Sequence, residues 1–314
     1  EAEEIHSYSY KRSLIEKSIK MTLPEKVVLR LTSELVKTLY QLGDYKSVLE
    51  NVYKITDSNF SEAYETELEF IKGSSLNELG KIKEGINILL KLKAKNVDRN
   101  YSRKIDIALA SAEYDLNNFN QAEEYCKKLL DDGETSAEDL GKVNNLLALI
   151  EFNFRNNPQK SLEYSFEALK NYQKVNLPRR VAGMYVNIGA FYDVQGKKNE
   201  AEQHWKNALR INSDIGNLEQ EGIILLNYGV FHQHNSNFEN AIESWKQANK
   251  IFNSIGMQNN FALALGNMGE VYLQICDYQN SFDYLSKASE IFAQINNKEG
   301  ELNVLFLQGK FWFI

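Results

Sequence analysis

The segment Asn187-Ile188-Gly189-Ala190-Phe191-Tyr192 decides the fold, because its glycine returns every 40 residues. Gly229, Gly269 and Gly309 continue the series, and a large ring follows each glycine at the same distance, in the order Tyr192, His232, Tyr272 and Trp312. A fixed period of this length is typical of repeat arrays, in which one small unit is stacked many times to bury a continuous core. We therefore expect the function on an extended surface and not in a catalytic pocket.

The same unit extends towards the N-terminus with a slightly shorter step. Steps of 37, 37, 39 and 40 residues connect the positions that we assign as equivalent to the glycine, namely Val36, Gly73, Ala110, Leu149 and Gly189. This register predicts an N-terminal helix over residues 1–24, as a cap or the second half of a preceding repeat. It also predicts a repeat array over residues 25–314, with seven complete repeats and the first helix of an eighth.

Each unit is predicted to be two helices joined by a tight turn. Gly or Asn recurs in these turns, as in Leu42-Gly43-Asp44, and supplies the left-handed conformation that ends a helix. The second helix is predicted to end in the same way at Asn176, Gly216, Gly256 and Asn296, which share the 40-residue interval. Pro178 and Pro24 are each expected to open a helix in its first turn.

An apolar stripe at helical spacing predicts which face of the second helix is buried. It consists of small residues alternating with a large one, at Ala201, Trp205, Ala208, Ala241, Trp245, Ala248, Ser281, Leu285 and Ala288. At the N-terminus, residues 3–20 are also expected to form an amphipathic helix, through Ile5, Tyr8, Ile15 and Ile19.

Composition indicates an ordinary globular protein with no membrane segment. The chain has 36 basic and 43 acidic residues, a net charge of −7 and 43% hydrophobic content, and no run of apolar residues is long enough to cross a bilayer. Acidic charge disfavours binding to nucleic-acid phosphates.

Cys126 and Cys276 lie far apart in the predicted stack, out of disulfide reach, so we expect free thiols and a cytoplasmic location.

The motif around Gly189 resembles the tetratricopeptide repeat (TPR). The match runs through Asn187-Ile188-Gly189-Ala190-Phe191-Tyr192 and continues at Gly196, Ala201, Trp205 and Ala208. The repeat is six residues longer than the common TPR unit and lacks its closing proline. It is thus similar to the long repeats of LGN-like adaptors, kinesin light chains and bacterial STAND or sensor regulators, and we expect the extra residues at the end of the second helix. The resemblance implies an all-α, right-handed superhelical solenoid of antiparallel helix pairs.

The two ends of the sequence suggest a piece of a longer protein. Residues 305–314 read as a first helix with no second helix to cover its apolar stripe, and the sequence begins without Met. An enzyme or switch domain could then lie outside these residues.

A search for catalytic and metal-binding motifs finds none of the usual signatures, so we expect no enzyme activity, no metal and no cofactor in this chain. His232 and His234 point about 200° apart on a helix and cannot share one metal. Packing is the favoured role for His232. Cys126 falls at the position of Trp205 and Trp245, so we expect it to fill the core.

The TPR resemblance implies a ligand groove lined by the first helix of each repeat. Asn187, Asn227 and Asn267 stand at the position where peptide-binding members of the family hold the ligand main chain, since an amide both donates and accepts. The alternative is that each Asn ties one helix to the next repeat. The remaining candidate groove residues are Leu147, Ile150, Phe154, Val186, Val230, Gln233, Glu270 and Gln274. The alternative for the apolar ones is packing between repeats.

The sequence therefore predicts a non-catalytic scaffold that binds a partner peptide or domain in the concave groove, as the docking or sensing arm of a larger signalling protein. The expected partner is a protein or peptide, with no nucleic acid and no membrane, or another part of a longer chain by intramolecular contact. Only Arg30, Lys37 and Lys104 supply cations at groove positions, so a clamp for a C-terminal carboxylate is disfavoured. The alternative function is the regulatory arm of an enzyme, either a STAND ATPase, a sensor kinase or a protease, that binds a small effector or inhibits the enzyme.

Overall fold

The computed structural model describes residues 2–55, 62–95 and 97–309. These residues form sixteen α-helices and no strand, which confirms the predicted all-α helical-repeat solenoid. The helices are α1 (Ala2–Ile19), α2 (Glu25–Gln41), α3 (Tyr45–Ile55), α4 (Glu62–Glu78), α5 (Ile82–Ala94), α6 (Arg99–Asp115), α7 (Phe119–Asp131), α8 (Ala137–Asn153), α9 (Pro158–Lys174), α10 (Pro178–Val194), α11 (Lys198–Asp214), α12 (Leu218–His234), α13 (Phe238–Ile255), α14 (Gln258–Gln274), α15 (Tyr278–Gln294) and α16 (Lys298–Gly309).

The helices pack in sequence order as pairs. We call the even-numbered helices from α2 onward A helices and the odd-numbered ones from α3 onward B helices. Each A helix from α2 to α14 packs on the B helix that follows it, with a turn of a few residues between them, and α1 packs on α2. The chain forms two compact units, Glu1–Leu177 with α1 to α9 and Pro178–Ile314 with α10 to α16. The grouping into a helix over residues 1–24 and an array over residues 25–314 stays a prediction.

The A helices share one register, because each of those from α2 to α14 has 17 residues. Position 12 is therefore occupied by Val36, Gly73, Ala110, Ala148, Gly189, Gly229 and Gly269. The prediction of Leu149 as the equivalent in α8 is wrong by one residue. Ala148 is fully buried there and Leu149 is not. The cause is one extra residue in the turn between α8 and α9, where Asn156 takes the left-handed conformation with φ of 49°.

The glycine at position 12 meets the large residue at position 8 of the following B helix. A Cβ added to Gly229 would lie 2.6 Å from Trp245 Cδ1, and one added to Gly269 would lie 2.6 Å from Leu285 Cγ. We call this contact the A–B joint. Where position 12 is larger, the B-helix residue is smaller. The joints of the Glu1–Leu177 unit pair Val36 with Val52, Gly73 with Leu89, Ala110 with Cys126 and Ala148 with Ser165.

The left-handed helix ends largely follow the prediction. Asn176, Gly216, Gly256 and Asn296 have φ between 53° and 75°, which is the conformation expected for a Gly or Asn cap. In the turn before α13 the prediction was Asn, but Ser236 takes the positive φ of 57°. Pro178 is the first residue of α10, as predicted, whereas Pro24 precedes α2 as its N-cap and lies outside the first turn.

The B-helix stripe is buried as predicted. Trp245, Leu285 and all the small residues of the stripe have at most 1% exposure, and Trp205 has 5%. The first three B helices have 11 to 13 residues and the later ones 17 or 18, so the longer repeat does come from a longer B helix. In α1, Ile15 and Ile19 pack against the core of α2. The side chain of Ile5 and the whole of residues 310–314, with Trp312, lie outside the described residues.

The joint predicts opposite effects for two glycines of the same unit. We expect Gly229→Ala to destabilise by about 1 to 3 kcal/mol, because its Cβ would overlap the buried Trp245 ring. Gly266→Ala is the control, since a Cβ there meets only Val304 Cγ2 at 3.7 Å. We expect it to stabilise by up to about 1 kcal/mol through helix propensity. Urea unfolding followed by circular dichroism measures both, and equal effects would contradict the joint.

The two tryptophans are predicted to differ in what their indole N–H contributes. Trp245 Nε1 donates a 2.9 Å hydrogen bond to the Leu226 carbonyl, whereas Trp205 Nε1 is buried without a hydrogen-bond partner. We therefore expect Trp245→Phe to cost about 1 kcal/mol more than Trp205→Phe. The same unfolding measurement tests this prediction. A larger loss of unfolding free energy for Trp205→Phe than for Trp245→Phe would contradict it.

Candidate functional site

The three predicted asparagines occupy one structural position in consecutive A helices. Asn187, Asn227 and Asn267 are residue 10 of α10, α12 and α14, all within the Pro178–Ile314 unit. Position 10 lies about 200° around the helix from the joint glycine at position 12, so it points away from the B helix of its own pair. Asn227 is exposed, and the other two are half-buried.

More amides lie on the same line of these helices. Positions 3, 10 and 17 of a helix drift by only about 20° per step and so share a face. Six of the nine residues at these positions in α10, α12 and α14 carry an amide, and we call them the amide stripe: Asn187, Gln220, Asn227, Asn260, Asn267 and Gln274. The others are Arg180, Val194 and His234.

The amides of Asn227 and Asn267 are open to a ligand. Within the described residues neither side chain makes a hydrogen bond, and the same holds for Gln220, Asn260 and Gln274. By contrast, Asn212 Nδ2 in α11 donates to its own helix backbone at the Ala208 carbonyl. The alternative role of tying one helix to the next repeat is therefore not what Asn227 and Asn267 do.

The surface beside the amide stripe is part apolar and part polar. Val186 and Val230 are half-buried and pack at the edge of the core clusters of this unit. Gln233 Nε2 of α12 donates to Glu270 Oε2 of α14 at 3.5 Å, so these two predicted residues contact each other. Gln274 is exposed at the end of α14.

The three predicted residues of α8 require correction. Leu147 and Ile150 are each 1% exposed within a core cluster of the Glu1–Leu177 unit and cannot receive a ligand side chain. Phe154 is 48% exposed and stacks on Phe119 at the end of the helix. The one-residue register error at Leu149 placed core positions on the predicted surface. Position 10 of α8 is Leu146, so the asparagine series does not extend to that helix.

In the Glu1–Leu177 unit the equivalent surface is linked by ion pairs. Glu34, at position 10 of α2, accepts Lys11 Nζ at 3.1 Å, and Lys37 Nζ lies 2.6 Å from Glu67 Oε2 of α4. Partial burial would raise the pKa of Glu34, but hydrogen bonds from Lys11 and Lys37 lower it below its usual value. Lys37, one of three cations considered for a carboxylate clamp, is thus already paired.

The titratable residues considered for chemistry are mostly packed in the core. His232 is 6% exposed, with its ring centroid 4.3 Å from that of Tyr228, whereas His234 is exposed. Burial raises the pKa of the Cys126 thiol to about 12, so it stays protonated. Cys276 is also a free thiol but is exposed. Among the described residues, no three His, Cys, Asp or Glu side chains are grouped to hold a metal ion.

A model of the tetratricopeptide repeat family matches residues 181–213, which is the α10–α11 pair that carries Asn187, Gly189 and Trp205. The repeated helix pairs show the same architecture along the chain. The α10–α11 pair thus matches a tetratricopeptide repeat, and the chain has an all-α helical-repeat fold. Comparison with curated proteins gave no match.

Solved TPR structures share the fold at low sequence identity. The apo form of RapI matches with a TM-score of 0.69 and 13% identity, over 91% of this chain and 82% of that one. A Rap protein complexed with competence and sporulation factor matches with a TM-score of 0.60 and 17% identity, over 88% and 79%. A STAND protein with a TPR sensor from Pyrococcus horikoshii matches with a TM-score of 0.64 and 17% identity, over 91% of this chain but 43% of that one. These identities establish the fold and not the ligand.

No candidate membrane-spanning segment is found in the part of the chain that the structure describes. None of its helices combines the length and the apolar character that a bilayer crossing requires.

Burial of histidine predicts that acid destabilises this protein. Burial lowers the pKa of both His232 and His204 below the usual 6.5, so the unfolded chain takes up protons first as the pH falls. Stability is therefore full above about pH 7 and declines below it. Tyrosine occupies the equivalent position at Tyr192 and Tyr272. The substitution His232→Tyr should therefore reduce the loss of Tm between about pH 7.5 and 5. An unchanged loss would exclude His232 as a contributor.

Proposed function

We propose that this protein is a non-catalytic interaction scaffold that binds an extended segment of a partner peptide or protein across α10, α12 and α14. The observation that carries the proposal is the amide stripe, with Asn187, Asn227 and Asn267 at the same position of three consecutive A helices. Side-chain amides can donate to and accept from the ligand main chain at once. They therefore hold a peptide irrespective of its side chains and fix its register.

The spacing of the three asparagines suits an extended chain. Packed helices lie about 8 to 10 Å apart, and an extended peptide advances about 3.3 to 3.6 Å per residue. About three ligand residues therefore separate neighbouring asparagines. A segment of about seven or more residues would reach all three, and the side chains between them would face Val186, Val230, Gln233, Glu270 and Gln274.

Similar proteins supply context for a sensing or docking role. One solved Rap protein is complexed with competence and sporulation factor, and the Pyrococcus horikoshii protein carries its TPR region as a sensor. By this analogy we propose that the chain is the docking or sensing arm of a larger signalling protein in the cytoplasm, with a protein or peptide partner or an intramolecular one. We also expect no binding of nucleic acid, given the net charge of −7.

A second candidate is the regulatory arm of an enzyme that binds a small effector. The STAND protein favours it, because this chain spans less than half of that protein, 43% of its length. A Walker motif, a kinase signature or a protease signature in the residues that flank this segment in its gene would support it.

The experiment for the proposed function compares two triple variants. Phage-displayed dodecapeptides are selected on the immobilised full chain, and the recovered peptides are measured by fluorescence anisotropy. We expect Asn187→Ala, Asn227→Ala and Asn267→Ala together to weaken binding about tenfold or more through lost hydrogen bonds. We expect the Tm to stay within about 2 °C of the parent, because these amides lie outside the core.

The matched control is Asn207→Ala, Asn240→Ala and Asn253→Ala, three asparagines of the B helices α11 and α13. This variant should bind as the parent does. A large fall in Tm for the first triple variant would assign the asparagines to stability, and equal binding by both triple variants would refute the proposal. Retention of a single-stranded RNA oligonucleotide would contradict the expectation on nucleic acid.

A further inference from the structure

We infer that the ligand of the amide stripe carries a basic side chain, Lys or Arg, that pairs with Glu270. This inference rests on the proposed function and adds the chemical class of the ligand. It depends on where the charges of the Pro178–Ile314 unit lie, and on which of them the protein leaves without a partner.

Glu270 is the single formal charge at the centre of the proposed surface. The centre consists of positions 9, 10 and 13 of α10, α12 and α14, which are Val186, Asn187, Ala190, Leu226, Asn227, Val230, Gly266, Asn267 and Glu270. Eight of these nine residues are neutral. A ligand lying across the asparagines passes close to Glu270, which is one helical turn from Asn267.

The protein does not neutralise this carboxylate. Glu270 is half-buried, and in the described part of the chain its polar contact is the neutral amide of Gln233, with no Lys or Arg in ion-pair distance. In the other unit, Glu34 and Glu67 of the equivalent A-helix face are each paired with lysine. A half-buried carboxylate whose hydrogen-bond donor is one neutral amide at 3.5 Å is only partly compensated for its lost hydration. A ligand cation would supply that compensation.

The remaining charges give the surface a polarity. Arg180 lies at position 3 of α10, on the line of Asn187, whereas α14 has no basic residue. Asp193 lies near the end of α10, again without an ion-pair partner in the described residues. A peptide that crosses from α10 to α14 therefore meets a cation at the start of α10 and the carboxylate of Glu270 at α14. Among the central positions of the surface, the carboxylate that a basic side chain would meet is that of Glu270, on α14.

The test repeats the dodecapeptide selection on the full chain and on two charge-reversal variants. Glu270→Lys reverses the charge at the proposed contact, and Glu239→Lys on the exposed face of α13 is the matched control. We expect peptides recovered on the parent and on the control to be enriched in Lys or Arg at one position. On Glu270→Lys that enrichment should disappear.

Individual peptides then give a second measurement. For a recovered peptide, Glu270→Gln should raise Kd about tenfold, and the increase of Kd with salt should become shallower, because an ion pair is screened and a packing contact is not. The triple Asn→Ala variant weakens every peptide, whether or not it is basic.

The outcomes separate the two claims. Two results would overturn the inference that the ligand is basic and would leave the proposed function intact. In the first, the recovered peptides depend on the three asparagines but show no preference for Lys or Arg. In the second, the enrichment in Lys or Arg persists on Glu270→Lys. Peptides whose binding ignores the asparagines would overturn the proposed function itself. If the protein retains the polyamine spermine and no basic peptide is recovered, the ligand is a small cation and not a peptide. That result would overturn the inference.

Discussion

The A–B joint is the contact on which the rest of the fold depends. The residue at position 12 of an A helix and the one at position 8 of the next helix compensate in size: Gly229 faces Trp245, whereas Ala110 faces Cys126 and Val36 faces Val52. Because interiors are close-packed, each joint limits how closely its two helices can approach. The A–B joint recurs once in every helix pair, so its spacing along the chain sets the spacing of the structural repeat.

The joint also determines which residues are left for recognition. An A helix that buries position 12 against its B helix must turn position 10 away from it, and in α10, α12 and α14 that position is Asn. The two units use this face differently. In Glu1–Leu177 it carries Lys–Glu pairs that satisfy each other, whereas in Pro178–Ile314 it carries amides and one unpaired carboxylate. We propose that the ligand binds on the Pro178–Ile314 unit, where Glu270 has a neutral amide beside it and no cation.

The sequence predicted those features that follow from a single residue in a periodic pattern. The buried stripe with Trp205 and Trp245 and the left-handed caps such as Asn176 and Gly256 were predicted correctly, since each has one physical explanation. The register of α8 was not, because Ala148 and Leu149 are both acceptable at a joint and the extra residue in the next turn has no sequence signature. That error moved Leu147 and Ile150 from the core to the predicted surface. The contact between Gln233 and Glu270 joins two repeats and could be found only with the helices in place.

The most direct test of the size compensation is a double-mutant cycle that rebuilds the Ala110–Cys126 joint at Gly229 and Trp245. The free energy of unfolding is measured for Gly229→Ala, Trp245→Cys and the two together. If the two residues compensate in size, Gly229→Ala lowers the free energy of unfolding in the parent, where it faces Trp245, and raises it in the Trp245→Cys variant. The expected coupling energy between the two substitutions is about 1 kcal/mol or more. Effects that add to within about 0.5 kcal/mol would show that the two positions do not depend on each other and would contradict the account.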